Sequence, residues 1–471
     1  MFKRDIYDKM LKWKLERETG NTKRSLEING ARQVGKTTII NKFAKDNYKQ
    51  VISIDLGNIL EHNIVRHWIN LTPTADLVKN YAPTLMKMFN PDFVDSPETV
   101  IIIDEIQESY HVWNLIRPIT RKMESHLIIT GSYLGKVYSD KRYFLPAGDL
   151  YHMRMESLSF EEFLEIYEWR RIYNNIDLYG GSPREHYEGL SDMFKIYNIL
   201  GGYPDVINDY VLGKDLKEIS ERFDWLIDVF TRESTRYMPK IEDKSLYKMV
   251  MSSVVKELMN EKRGLPSLDE NIAKDILRRR PDDPAHINKT VIYKAIYWMR
   301  ESGLLGICDK CIDCDPQTIS ENRRYYLTDI GLAGHISAPI AKEDAIAGMI
   351  AESFAYIQLR NMMEEQFLIP NNPCFGTYGD GEIDFILANR NNGTKYAVEV
   401  KSGRSSSKTA TILLDKKIVD YVIFAKGNTR GGIDGNKITI PLYLLQRFKF
   451  EDFTGRLKTE IPKAIKPPVN I

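Results

Sequence analysis

Gly30-Ala31-Arg32-Gln33-Val34-Gly35-Lys36-Thr37 decides how the first third of the chain folds. It has the spacing G-x-x-x-x-G-K-[ST], with the apolar run Leu26-Glu27-Ile28 before it and a helical stretch from Thr38 to Lys45 after it. Glycines let backbone N–H groups close around phosphate oxygens at a helix N-terminus. Lys36 brings a cation to the β- and γ-phosphates, and Thr37 offers an oxygen to Mg²⁺. The candidate nucleotide contacts are therefore Gly30, Ala31, Arg32, Gln33, Val34, Gly35, Lys36, Thr37 and Thr38, with Lys36 also a catalytic candidate. A glycine-rich turn is the plain alternative.

Outward from the loop, short apolar runs alternate with helix-length segments: Val51-Ile52-Ser53-Ile54, Val100-Ile101-Ile102-Ile103 and Leu127-Ile128-Ile129. That rhythm predicts a parallel α/β sheet. The run Thr99 to Ile103 is apolar throughout, as in a strand buried on both faces, and ends in Asp104-Glu105. Carboxylates at the C-terminal end of a parallel strand sit where ligands bind. Asp104 is expected to hold Mg²⁺ through its waters, and Glu105 to orient and polarise an attacking water. At the end of the next strand, the hydroxyls of Thr130 and Ser132 are candidates for the γ-phosphate or that water. One strand, Val51 to Leu56, intervenes between the loop and the acidic strand. This points to the ATPase branch of phosphate-loop proteins, which has an inserted central strand and a catalytic glutamate.

The chain has 471 residues, enough for two to four domains, and is 43% hydrophobic, 11% aromatic and 28% charged. Those values exclude disordered, collagen-like and disulfide-rich classes. A net charge of +1 gives no global pull toward nucleic acid or an acidic membrane, so such binding needs local patches. Met1-Phe2-Lys3-Arg4-Asp5 leads into amphipathic sequence without a secretory apolar region, and no apolar run of membrane-spanning length follows. A cytoplasmic protein without membrane contact is expected, with its 4 cysteines kept as thiols.

From about Ser159 the pattern turns helical, with Phe160, Phe163, Leu164 and Tyr167 at helical spacing. Asn288 is the expected N-cap for a helix from Lys289 to Ser302, stopped by Gly303. Val291, Ile292, Ala295, Ile296 and Met299 form its buried side. Thr290, Tyr293, Lys294, Tyr297 and Arg300 are left exposed, a basic and aromatic mix suited to phosphates and base edges. This reads as a recognition helix, with Leu304 to Arg324 as a winged hairpin whose Arg323 and Arg324 reach the DNA backbone. Winged helices also mediate protein contacts alone. Within the hairpin, Cys308, Cys311 and Cys314 have the spacing of zinc or iron–sulfur ligands, but a fourth ligand is missing nearby and Cys374 is remote in sequence. Chance clustering is the alternative.

Past Ala345 a helix from Asp344 to about Met363 carries Glu352 on an otherwise small or apolar face, where a carboxylate needs a partner. It leads into a hairpin turning at Asn391-Asn392-Gly393. Alternation puts Glu382, Asp384 and Ile386 on one side of the first strand, and Ala397, Glu399 and Lys401 on one side of the second. Asp384, Glu399 and Lys401 are expected to converge. Asp384 followed by Glu399-Val400-Lys401 resembles the PD-(D/E)xK nuclease motif, with Glu352 as the helix carboxylate that completes it. Such a site holds one or two Mg²⁺ on its carboxylates while the lysine positions or helps deprotonate the nucleophile. A cross-strand Glu–Lys pair is also an ordinary surface feature.

The phosphate loop together with Ile103-Asp104-Glu105-Ile106-Gln107, Thr130-Gly131-Ser132, Leu158-Ser159-Phe160-Glu161-Glu162-Phe163 and Gly201-Gly202-Tyr203-Pro204 resembles the prokaryotic AAA+ ATPases carrying a C-terminal DUF4143 region. The resemblance covers nearly the whole chain. It implies a P-loop AAA-type ATPase domain over 1–158, a helical lid over 159–240, a winged-helix-like domain over 241–340 and a restriction-endonuclease-like α/β domain over 341–471. It also implies ATP and Mg²⁺ as cofactors and rings or dimers of the chain. Similar members carry a basic residue after the glycine preceding the fifth strand, whereas Gly148 is followed here by Asp149. Arg142 and Arg154 are the nearest replacements, as a phosphate sensor or an arginine finger. Three function classes follow: an ATPase acting on DNA with a cleaving C-terminal site, a signalling NTPase that gates a protein partner through a non-cleaving module, and a DNA-binding regulator that does not cut.

Overall fold

The computed structural model describes residues 1–71, 81–131, 137, 140–238, 241, 245–259, 268–279, 287–402 and 407–451. The chain divides into two units, Met1–Ile176 with Glu185–Ile307 and Tyr325–Ser353, and Asp177–Arg184 with Cys308–Arg324 and Phe354–Ile471.

The first unit starts from a five-stranded sheet of β1 (Ser25–Asn29), β2 (Gln50–Asp55), β3 (Thr99–Asp104), β4 (His126–Thr130) and β5 (Leu150–Arg154), in the order β2-β3-β4-β1-β5. Every pairing is parallel. The apolar run of β3 makes it a central strand, with Val100, Ile101, Ile102 and Ile103 all buried. β4 lies between β3 and the phosphate-loop strand β1, which is the inserted strand expected from the sequence. This order brings the C-terminal ends of β1 and β3 to one edge, where the loop and the acidic pair both stand.

Helices complete this unit. Ser159 and Glu162 form a reciprocal cap on the helix Phe160–Ile166. Asp215 and Glu218 do the same for the helix Leu216–Tyr237. Asn288 accepts from Val291 N at 3.1 Å to start the helix Lys289–Glu301, and Gly303, at φ +79°, follows its end. Ile292, Ala295, Ile296 and Met299 are buried as expected, together with Trp298, while Val291 is only half-buried. Asp329 ties this region together: it accepts from Gly202 N at 2.8 Å and Ser157 Oγ at 2.9 Å, and caps the helix Ile330–Ser337.

The second unit is built on a mixed eight-stranded sheet in the order β12-β13-β11-β10-β9-β8-β6-β7. Its strands are β6 (Leu305–Ile312), β7 (Ile319–Leu327), β8 (Leu368–Tyr378), β9 (Gly381–Asn389), β10 (Lys395–Lys401), β11 (Tyr421–Lys426), β12 (Gly432–Asp434) and β13 (Lys437–Pro441). The turn at Asn391-Asn392-Gly393 joins β9 to β10 as an antiparallel hairpin, with Ala397 opposite Ile386 and Val398 opposite Phe385. β10 then pairs in parallel with β11.

Two expectations are corrected here. The Leu304 to Arg324 hairpin is not a free wing: β6 pairs in parallel with β8 from Asp309 opposite Cys374 to Ile312 opposite Thr377, so Cys308–Arg324 belongs to the C-terminal sheet. An open strand edge gains its hydrogen bonds by joining a sheet. That pairing also carries Cys311 to Cys374, and the two form a disulfide across 63 residues, where thiols were expected. Cys308 and Cys314 are buried outside that disulfide, and burial pushes the Cys314 thiol up to about 12.

Candidate functional site

The phosphate loop is held in a shape that needs its glycines. Gly30 has φ +140°, and a Cβ placed on it would stand 2.0 Å from Met155 O. Gly35 has φ +92° and precedes the helix Lys36–Asn47, whose N-terminus opens into the loop. Lys36 Nζ donates to Gly30 O and Ala31 O, both at 2.8 Å. Burial holds its ammonium down to about 8, against the upward pull of Glu105 and Asp104. Arg4, which the sequence did not single out, fastens the far side of the loop. Its buried guanidinium donates to Val34 O at 2.8 Å and Glu156 O at 2.7 Å, and pairs with Glu162 at 3.1 Å.

Thr37 Oγ1 donates to Asp104 Oδ2 at 2.7 Å, so the first turn of the loop helix and the end of β3 meet through the two oxygens expected to serve one Mg²⁺. Burial raises the Asp104 carboxyl above its usual range, opposed by this bond and by Glu105 N, which donates to Asp104 Oδ1 at 2.8 Å. Hydroxyl and carboxylate oxygens suit a hard cation, and the ammonium suits the triphosphate that carries it. Glu105 sits in the left-handed region at φ +49° and is bound by Arg32 at 2.9 Å and by Gln107.

This segment has a relative by sequence. Residues 22–164 match the protein family described as AAA domain. Match, loop and sheet order together give this segment the fold of an AAA-type domain. No curated protein matches the chain. Solved structures resemble it weakly. The Aeropyrum pernix ORC1 protein in complex with DNA is 13% identical over 72% of this chain and 93% of its own, with a TM-score of 0.31. Cdc6p from Pyrobaculum aerophilum is 14% identical over 74% and 95%, at 0.25. The Thermotoga maritima RuvB Holliday junction branch migration motor is 11% identical over 65% and 89%, at 0.28.

Around the AAA-type site, other expected residues are placed differently. Thr130 is buried and donates its hydroxyl to Ile28 O at 2.8 Å, so it fastens β4 to β1 and does not offer that proton to a ligand. Ser132 lies outside the described residues. Asp149, in the position where a basic residue was expected, is buried between Arg117 at 2.9 Å and Arg121 at 2.7 Å. Arg142 pairs with Asp140 at 2.6 Å and lies over the Tyr110 ring, while Arg154 pairs with Glu156.

On the helix Lys289–Glu301, Thr290, Tyr293, Lys294 and Tyr297 are exposed and Arg300 is half-buried, as the helical period dictates. Arg324 corrects its expectation: its guanidinium is 7% exposed, pairs with Glu382 and lies 3.9 Å from the Phe375 ring centroid. It is thus held within the sheet and does not reach outward. Arg323 is half-buried on the same strand.

At the second constellation, Lys401 Nζ pairs with Glu399 at 2.6 Å, and Asp384 Oδ2 accepts from Val400 N at 2.7 Å. Glu352 accepts from Tyr326 OH. Among the described residues no three His, Cys, Asp or Glu side chains gather closely enough to hold a metal ion. Glu399 and Lys401, expected to converge, do meet, and Asp384 is bonded to the backbone beside them, whereas Glu352 belongs to the other unit of the chain. No described helix is long and apolar enough to cross a membrane.

Proposed function

We propose that the protein is a Mg²⁺-dependent ATP hydrolase whose turnover responds to DNA. The observation that supports this most is the Thr37–Asp104 hydrogen bond beside a loop lysine held on its own carbonyls. Backbone N–H groups from Gly35 to Thr38 would hold the phosphates, Lys36 would neutralise them, and Thr37 with Asp104 would hold the cation. When bound, Mg²⁺ offsets phosphate charge. Glu105 would orient the water and take its proton. Thr290, Tyr293, Lys294, Tyr297 and Arg300 form the face offered to DNA, by charge and by ring stacking.

For the C-terminal unit we favour binding over cleavage, since among the described residues no three His, Cys, Asp or Glu side chains gather to hold a metal ion. The test measures phosphate release by the wild type, Lys36→Ala and Glu105→Gln, with and without duplex DNA. Turnover in the wild type alone, raised by DNA, supports the reading. Turnover that survives Lys36→Ala overturns it. Turnover indifferent to DNA but altered by a co-purifying protein favours a signalling NTPase. DNA cleavage in Mg²⁺ that is lost in Asp384→Ala would restore the nuclease reading of the second unit.

A further inference from the structure

Arg32 belongs to the phosphate loop, yet its side chain turns from the loop to two carboxylates. It donates to Glu105 Oε1 at 2.9 Å and pairs through Nε with Glu233, with 29% of the side chain exposed. Burial works against its charge, but Glu233 and Glu105 outweigh this and raise its pKa. Glu233 lies on the helix Leu216–Tyr237, the end of which is fastened to the same corner. Tyr237 OH accepts from Gln107 at 3.0 Å and donates to Glu108 at 3.1 Å, and Arg236 pairs with Glu108 at 2.9 Å.

Glu105, the residue read as the water-orienting base, is thus engaged by Arg32 and Gln107. A carboxylate oxygen facing a guanidinium is not facing a water. The γ-phosphate carries more charge than a carboxylate and offers a planar guanidinium paired acceptors. The other basic side chains named for that role have partners of their own: Arg142 holds Asp140 and Arg154 holds Glu156.

We infer that Arg32 is a positioning residue that exchanges Glu105 for the γ-phosphate when ATP binds, with Glu233 of the helical region setting how readily it leaves. This rests on the ATP-hydrolase reading and adds to it a means by which the helix Leu216–Tyr237 biases the preference for ATP over ADP.

The test is calorimetric titration of the full chain in Mg²⁺ with ADP and with the non-hydrolysable β,γ-imido analogue of ATP. Loss of one charged contact to phosphate predicts that Arg32→Ala weakens the triphosphate by about tenfold or more while ADP stays within about twofold. Arg32→Lys should recover part of the difference. Glu233→Gln should widen the preference for the triphosphate, and it serves alone if Arg32→Ala does not fold. Equal losses for both nucleotides in Arg32→Ala, or an unchanged preference in Glu233→Gln, would overturn the inference. A folded wild type that binds neither nucleotide would instead remove the ATP-hydrolase reading beneath it.

Discussion

Gly303 and Gly148 make a matched pair for testing how the helix Lys289–Glu301 touches the nucleotide site. Both have φ +79°. Around Gly148 an added Cβ meets nothing within 4 Å, whereas at Gly303 it meets Ala31 N at 3.1 Å, Ala31 Cα at 3.5 Å and Gly30 C at 3.6 Å. The left-handed backbone alone costs an alanine roughly 1–2 kcal/mol, so Gly148→Ala and Gly303→Ala should share a loss of about that size. Only Gly303→Ala also presses on the two residues whose carbonyls hold Lys36. A displacement of a few tenths of an ångström there should add ~0.5–1 kcal/mol and weaken ATP binding about two- to fivefold. Urea midpoints at constant m-value give the stability, and titration with the β,γ-imido analogue gives the affinity. Equal nucleotide affinity in the two variants, with both folded, would refute the contact's role.

Thr37→Val removes one of the two side-chain oxygens offered to the cation, so the gain in ATP affinity from Mg²⁺ should shrink, while loss of the bond to Asp104 lowers stability by about 0.5–1.5 kcal/mol; titrations with and without the cation check this. His126 is buried beside Tyr48, and burial first, then the charges of Arg17 and Lys14, hold its ring down to about 3. The unfolded value is about 6.5, so the unfolded chain binds the extra proton between these values, and stability should fall as pH drops from about 6.5 toward 3. The loss approaches ~4 kcal/mol, and denaturant melts of His126→Gln should show a flatter profile. Arg324→Ala leaves Glu382 without its buried partner and should cost about 2–3 kcal/mol in thermal unfolding while leaving DNA affinity unchanged in gel shifts, because the guanidinium is held inside the sheet.

Much of the nucleotide site could be read in the sequence because its logic is local. The loop octet, the buried run Thr99 to Ile103 and the terminal Asp104-Glu105 each specify an element and its end, and parallel strand order then brings the ends together. The same holds for Asn288, Gly303 and the exposed face between them, where helical period and caps suffice. Residues recruited over long separations were not visible. Arg4 reaches Val34 and Glu156, and Glu233 reaches Arg32, through contacts that no spacing announces. Cys311 meets Cys374 only because β6 aligns with β8, a parallel pairing that local alternation cannot foresee. The second constellation was legible only in part. Alternation correctly grouped Glu399 with Lys401, but it carries no information about competing donors such as Val400 N, which takes Asp384.

The most direct measurement is equilibrium binding of ATP with Mg²⁺ to the full chain and to Lys36→Ala, with folding of both verified by their unfolding transitions. One saturable site in the wild type, lost or weakened by orders of magnitude in the variant, is the expected result. A folded wild type that retains no ATP, or a variant that binds it equally well, would contradict the assignment of the phosphate loop as the site where this protein handles nucleotide.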